Sequence, residues 1–561
     1  MDRAKNAEGR GLLPWCMGHL PTLLAVFSSV VYLLTLDRSA SWWDCGEFIA
    51  TGWTLSVGHP PGAPTYQLLS HLFMLLSFGN PLLVAPLSNA FSALCGGITV
   101  GLLAATLREF GCRPLAMAVG ALCYLFCDTA WFSAVESEVY APAMLFCALD
   151  VYLALRWRRS GNARLLVLLG LLLGLGVGVH LMTLLVVPAL ALIVFSHRVQ
   201  SNGVKTILLA ALFFLLGLTP YAIVPIRAAA NPPINEMKDG FGAYLKRDQY
   251  EKAPLYPRMW RERDSDNWSE WTHGTEGVVG NVVYYGGYQL GYMYLRYLMF
   301  NFLGRENGRW HCVVLFVLPG LLALWGLWRH RKRHRVHFWV VMLLFLFGGV
   351  ILNLYLNHPC YEPRPRDYVY ILSFYAAALW IGIGVDSLPR RWWRWLAVLA
   401  PLTMAVGNWS DHDRSRCHSV HDIAANHLES CAPDAILITL GDNDTFPLWY
   451  LQQVEGRRTD VDVYNIGLTG WIEVQRLITT AGDRPVYFTQ FFVDKFAYLY
   501  EGRLRCEGYC WRLLPTTGAD LTPMVRDGIE WHITLREYVD RMSTRFLDSW
   551  QRNTGLPVPR R

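Results

Sequence analysis

Residues 20–47 read LPTLLAVFSSVVYLLTLDRSASWWDCGE. The first seventeen of these carry no charge, which is enough to cross the hydrocarbon core of a bilayer as a helix. Asp37 and Arg38 end the run, and two tryptophans, Asp44 and Glu47 follow. A polar, aromatic-rich segment directly after an apolar run is what a chain shows when it leaves the bilayer and stays against its surface.

Ten more apolar runs follow, at 86–107, 114–132, 140–155, 165–179, 181–195, 206–224, 313–328, 338–356, 368–385 and 393–409. The expected architecture is a polytopic α-helical membrane protein with about eleven transmembrane helices. Composition agrees. Of 561 residues, 53% are hydrophobic and only 17% are charged, and the mean hydropathy is +0.23. Soluble domains carry charge on roughly a quarter of their residues. These values exclude a disordered chain, a fibre or a small disulfide scaffold, and a wholly soluble enzyme fits them poorly. A net charge of +6 is small for this length, so no nucleic-acid partner is expected. Among 13 cysteines, Cys95, Cys123, Cys127 and Cys147 lie in apolar runs and read as free thiols. There is no CxxC pair, Cys506 and Cys510 are isolated, and no metal site is expected.

Orientation follows from the cations. With the N-terminus cytoplasmic, the inside loops at 108–113, 156–164, 197–205, 329–335 and 390–394 hold sixteen Arg and Lys. The short outside loops hold two. The charged first fifteen residues precede a full-length run with no small-residue cleavage site, so a retained anchor is expected. Residues 1–409 then form a membrane domain, with a first outside loop at 37–85 and a long one at 225–312. Two interfacial helices are expected in the first loop and another near 292–303. Residues 410–561 read as a small outside α/β domain, with β-branched runs at 435–439, 461–466 and 486–489.

Asp44 and Glu47 are three apart, so a helix starting here puts both on one face. Two readings stay open. Ser41 could cap that helix, with the acids suiting its positive end. Alternatively the pair is chemical, because carboxylates held among aromatics at a membrane face are costly unless used. Gly58-His59-Pro60-Pro61-Gly62-Ala63-Pro64 is an elbow in which Pro64 can open a helix whose N-terminus would suit a phosphate. Glu136, Glu138, His180, Arg227, Arg364, Arg366 and Asp367 fall at run ends on the same outside face. Singly, each fits interfacial anchoring. Together they supply what sugar transfer from a lipid phosphate requires. The leaving phosphate needs cations or helix N-termini, and the weak hydroxyl nucleophile needs a carboxylate base. In Gly441-Asp442-Asn443-Asp444-Thr445-Phe446-Pro447, Asp442 and Asp444 are either acceptor-side contacts or capping groups in a strand-to-helix turn.

The motifs Asp44-Cys45-Gly46-Glu47, His59-Pro60-Pro61-Gly62, residues 66–78 and the small-residue stretch 88–94 resemble the GT-C superfamily of membrane glycosyltransferases. Residues 43–69, 136–140, 363–380 and 441–450 are similar to the bacterial branch of a family whose vertebrate member is a receptor-ectodomain protein O-mannosyltransferase. The resemblance implies transfer of a sugar, with mannose the family expectation, from a polyprenyl-phosphate donor to Ser or Thr of exported proteins. The donor is a lipid-linked substrate and no further cofactor is implied. Asp44 is the implied base, although the spacing Asp-x-x-Glu departs from the adjacent Asp-Glu of better-studied mannosyltransferases and leaves Glu47 open for that role. His59, Glu138, His180, Arg227, Arg364 and Arg366 are the expected donor-phosphate or substrate contacts. The expected location is a bacterial inner membrane with a periplasmic active face. Two alternatives are a glycosyltransferase acting on a lipid or cell-envelope glycan, and a polytopic transporter. The transporter fits less well, because the charges sit at run ends and the two halves show no symmetry.

Overall fold

A computed structural model describes residues 12–196, 203–248, 271–275, 277–303, 313–358, 366–515, 520–521 and 551. Among them, four helices are long and apolar enough to cross a membrane: Pro81–Glu109, Gly203–Ala229, Arg335–Leu356 and Asp367–Asp386. The pair Pro114–Leu125 and Asp128–Ala134, bent by 66°, would make a fifth. Leu20–Thr35, Ala163–Val177 and Leu181–Phe195 are shorter apolar helices. Tyr140–Ser160 and Val313–Arg333 are longer helices ending in basic residues. The protein is an integral membrane protein built from this bundle.

Two large buried side chains of the bundle find their hydrogen-bond partners within it. Tyr32 donates its hydroxyl to the Leu125 carbonyl at 2.9 Å, and Trp131 donates its indole N–H to Thr35 Oγ1 at 2.9 Å. Leaving either group unpaired inside would cost a desolvation penalty. Where the first helix ends, Asp37, Glu136 and Arg414 form a buried ion network, with Arg414 at 2.6 Å from Glu136 and 3.4 Å from Asp37.

Two short helices follow in the loop after the first helix, α1 (Cys45–Thr54) and α2 (Pro64–Met74). Pro64 opens α2, since its missing N–H is one that the first turn leaves unpaired in any case. The backbone between them is tied to the long loop, where Val57 N–H donates to Ile234 O at 2.9 Å and Glu236 N–H to Val57 O at 3.0 Å.

The C-terminal part is an α/β unit. Its strands are β1 (Ile436–Thr439), β2 (Asp462–Asn465), β3 (Val486–Phe488), β4 (Leu504–Glu507) and β5 (Cys510–Leu513), in the spatial order β2-β1-β3-β5-β4. β1 is parallel to β2 and β3, and β5 is antiparallel to β3 and β4. Interior strand β1 reads Ile-Leu-Ile-Thr and is buried throughout, as a parallel strand covered on both faces requires. Helix α3 (Asp442–Gln453) follows β1 and packs directly on α1. One apolar cluster contains Cys45, Ile49 and Met74 together with Leu437, Leu448 and Leu451, so the first loop and the α/β unit share a core.

Candidate active site

Asp44 stands at the N-cap of α1, yet its side chain makes no capping bond. Ser41 does not cap the helix either. Its hydroxyl donates to Glu136, which belongs to the buried ion network. Among the described residues no hydrogen bond engages the Asp44 carboxylate, and it lines a cavity of about 600 Å³. Glu47, one turn on, is buried and fully engaged. Its Oε1 accepts the backbone N–H of His59 at 2.6 Å, and its Oε2 lies 2.5 Å from His59 Nδ1. Gly58 is what lets the elbow close onto this carboxylate, because a Cβ there would stand 2.6 Å from Glu47 Oε1. Tyr244 braces the same turn by donating its hydroxyl to Gly58 O at 2.9 Å.

Burial alone would hold the His59 pKa down. The paired Glu47 carboxylate outweighs it, helped by Asp44 and Asp442, and the imidazole is pushed up to about 10. His59 is therefore a cation at neutral pH. A histidine whose pKa rises on folding contributes stability that is fully present below its ordinary value of 6.5 and is lost as pH climbs toward 10. The melting temperature should thus decline between those limits, and His59→Gln should flatten the decline. A variant that kept the wild-type slope would remove the ion-pair assignment.

His180 lies in the break between two apolar helices and caps the Leu181–Val186 turn, its Nδ1 accepting from Met182 N–H at 3.1 Å. Burial, with Arg247 and His59 nearby, pushes its pKa down to about 4. At neutral pH it is an uncharged imidazole with its proton on Nε2. Arg227 closes the C-terminal end of α1, donating from Nε to Leu55 O at 2.7 Å and from Nη2 to Thr54 O at 3.2 Å. Arg366 donates to the Tyr368 hydroxyl at 2.8 Å. His180, Arg227 and Arg366 line the same cavity as Asp44, Glu47 and His59. Asp44 thus shares one chamber with the His59 cation of its own loop and with Arg227 and Arg366 from two distant parts of the chain.

The remaining sequence candidates lie elsewhere. Glu138 is buried outside the cavity lining, its Oε2 accepting from Val139 N–H at 3.2 Å. Arg364 is outside the described residues. Asp442 is exposed on the first turn of α3 and does not line the cavity. Asp444 points into the α/β unit, contrary to an acceptor-side position. Its Oδ2 accepts from Leu440 N–H at 3.0 Å and from the Thr489 hydroxyl, joining β1 to the end of β3. Burial pushes its carboxyl up to about 7, against these two hydrogen bonds.

Sequence reading did not single out Arg247, Tyr244 or His358, all of which line the cavity. Arg247 sits in the left-handed conformation, φ 58°, at the end of the Phe241–Lys246 helix. Its segment was legible only as a loop crowded with both charge signs. Leu181, Leu185, Phe347, Ile351 and Leu352 also line the cavity and give it an apolar flank. A carboxylate, a group of cations and an apolar flank can together take a proton, steady a phosphate and accommodate a hydrocarbon.

Comparison with known proteins bears on the fold and the family resemblance. The family model described as the Protein O-mannosyl-transferase TMEM260 N-terminal domain matches residues 44–203, and TMEM260-associated domain 2 matches residues 420–475. The chain is 25% identical over 502 residues to Protein O-mannosyl-transferase TMEM260 of Mus musculus, covering 82% of this chain and 64% of that protein. It is 21% identical over 507 residues to Protein O-mannosyl-transferase tmem260 of Dictyostelium discoideum, covering 80% and 57%. The chain therefore spans about three fifths of the length of these curated relatives. The crystal structure of ArnT from Cupriavidus metallidurans bound to undecaprenyl phosphate superposes with a TM-score of 0.52 at 12% identity, covering 90% of this chain and 98% of that one. These matches show that the chain shares the fold of the ArnT structure and is similar, over parts of its length, to the protein O-mannosyl-transferase TMEM260 family model and its curated relatives.

Proposed function

We propose that the protein transfers a sugar, mannose by analogy with its relatives, from a polyprenyl-phosphate donor to a Ser or Thr hydroxyl of an exported protein. The observation that carries this reading is the division between the two acids. Glu47 is spent on His59, whereas Asp44 faces the cavity with no hydrogen bond among the described residues. Asp44 accepts the proton of the attacking hydroxyl while the hydroxyl oxygen bonds to the anomeric carbon. The bond from that carbon to the phosphate oxygen breaks, and the lipid phosphate leaves as an anion. His59, Arg227, Arg247 and Arg366 surround the space where that charge develops, in a site where fixed cations act far more strongly than in water. The apolar flank suits the first isoprene units. The structural likeness to ArnT, solved with undecaprenyl phosphate, and the names of the curated relatives support donor and acceptor class respectively.

In this reading the chain crosses the membrane about eleven times, with the Arg-rich loops cytoplasmic. Residues 1–409 form the catalytic membrane domain. Residues 410–561 form the α/β unit on the active face, periplasmic in a bacterial inner membrane. Asp442, exposed near His59, belongs to the acceptor side.

The test is direct. The full chain in lipid nanodiscs is given radiolabelled mannosyl-phosphoryl-undecaprenol and a Ser/Thr-rich peptide. Label should move to the peptide hydroxyls. Label found on a lipid glycan instead would overturn the protein-acceptor reading. Solute uptake into proteoliposomes with no transfer at all would overturn the enzyme.

A further inference from the structure

We propose that Asn443 is a positioning residue for Asp44, so that the α/β unit completes the catalytic centre from outside the membrane domain. This deepens the proposed function and rests on Asp44 being the base.

The first observation is a conformational outlier. Trp43, immediately before Asp44, has φ 64°, in the left-handed region that a bulky side chain rarely adopts. Such a conformation persists only where its surroundings hold it. Here the hold comes from 400 residues away. The Trp43 N–H donates to Oδ1 of Asn443 at 2.6 Å, and Asn443 is 8% exposed. This bond fixes the Trp42–Trp43 peptide plane, one peptide before the one that carries Asp44, at the residue whose left-handed turn sets the direction of the chain into Asp44.

The second observation lies on the other side of Asp44. A Cβ at Gly46 would stand 2.5 Å from the Phe446 carbonyl oxygen, 2.6 Å from its carbon and 2.9 Å from Pro447 N. These are backbone atoms of α3 and cannot swing away. The start of α1 is therefore seated on the backbone of α3. Residues 43 and 46 are both referenced to the Gly441–Pro447 stretch, and Asp44 lies between them.

The stretch Asp442-Asn443-Asp444 thereby divides its work. Asp442 is exposed, Asp444 ties β1 to the end of β3, and the central amide reaches the catalytic loop. No covalent step is required of Asn443. Its effect is on where the base stands, and a displacement of about 1 Å at a reacting group can cost roughly a hundredfold in rate.

The test uses the full chain in nanodiscs with mannosyl-phosphoryl-undecaprenol and a Ser/Thr-rich peptide. Asn443→Leu removes the acceptor oxygen. It should lower kcat by about 10–100-fold, leave KM for the donor within about twofold, and speed amide exchange at residues 43–45. Asn443→Asp keeps the oxygen. It should restore most of the turnover at alkaline pH and move the acidic limb of the pH profile upward, because a second carboxylate disfavours ionised Asp44. Wild-type kcat and exchange in Asn443→Leu would overturn the proposal. If that variant fails to fold, an unmoved pH profile in folded Asn443→Asp would overturn it equally. Asp44→Asn separates the two readings. Full turnover there removes the base itself, whereas an inactive Asp44→Asn beside a wild-type Asn443→Leu removes only the positioning role.

Discussion

Asp44→Asn is expected to lower sugar transfer by about 10²–10⁴-fold with little change in stability or donor affinity. The magnitude follows from the role. A positioned general base contributes about that much, and the amide cannot take the proton. The absence of collateral damage follows from the geometry. Asp44 makes no capping bond in α1 and, among the described residues, no side-chain hydrogen bond, so what goes with its charge is a minor share of the field that supports the His59 cation, which Glu47 dominates. Glu47→Gln should show the opposite balance. It exchanges a buried charge paired with His59 for a neutral amide, so the elbow should loosen and the melting temperature fall, with the transfer defect following from that displacement. Steady-state kinetics and melting curves on both variants separate the acids. A stable Glu47→Gln with no turnover beside an active Asp44→Asn would exchange their roles.

That division could not be read from the sequence, although both residues could. Asp44 and Glu47 stand out by local spacing and by the tryptophans before them. What engages Glu47 is His59, twelve residues on, brought back by an elbow whose closure depends on Gly58 having no side chain. Local signals carried the elements well wherever they were strong. Pro64 opens α2, and the β-branched runs became β1, β2 and β3 to within a residue or two. β4 and β5 went unseen because Leu-Arg-Cys-Glu and Cys-Trp-Arg-Leu hold no β-branched residue and join the sheet only because β5 pairs with β3 and β4 pairs with β5. Ser41 illustrates the limit in a single side chain. Its neighbourhood suggests a helix cap, and its actual partner, Glu136, lies 95 residues away. Arg247 and His358 reach the cavity from loops with no motif at all, so only the tertiary fold identifies them.

The largest stability effect is expected from Arg414→Met. Arg414 is 3% exposed and neutralises two carboxylates that are equally buried, Asp37 and Glu136. Its backbone N–H also donates to Thr35 O at 2.9 Å, pinning the end of the first apolar helix. Removing one partner of a buried ion pair leaves the other charge uncompensated and costs about 3–5 kcal/mol. Here two charges of like sign would be left facing each other. Methionine fills a similar volume, so the loss would measure the charge more than a cavity. The consequence for function is mechanical. Asp37 begins the segment that carries Ser41 and Asp44, and Glu136 holds Ser41 directly, so the cation anchors the approach to the Asp44 loop at one point while Asn443 holds it at another. If charge is the cause, neutralising the acids in the same chain, as Asp37→Asn with Glu136→Gln, should recover much of the loss, because replacing a whole buried ionic group is often close to neutral. Melting temperature and denaturant titration of the single and triple variants in detergent give the comparison. A triple variant no more stable than Arg414→Met would show that packing of the guanidinium, and not its charge, holds this corner together.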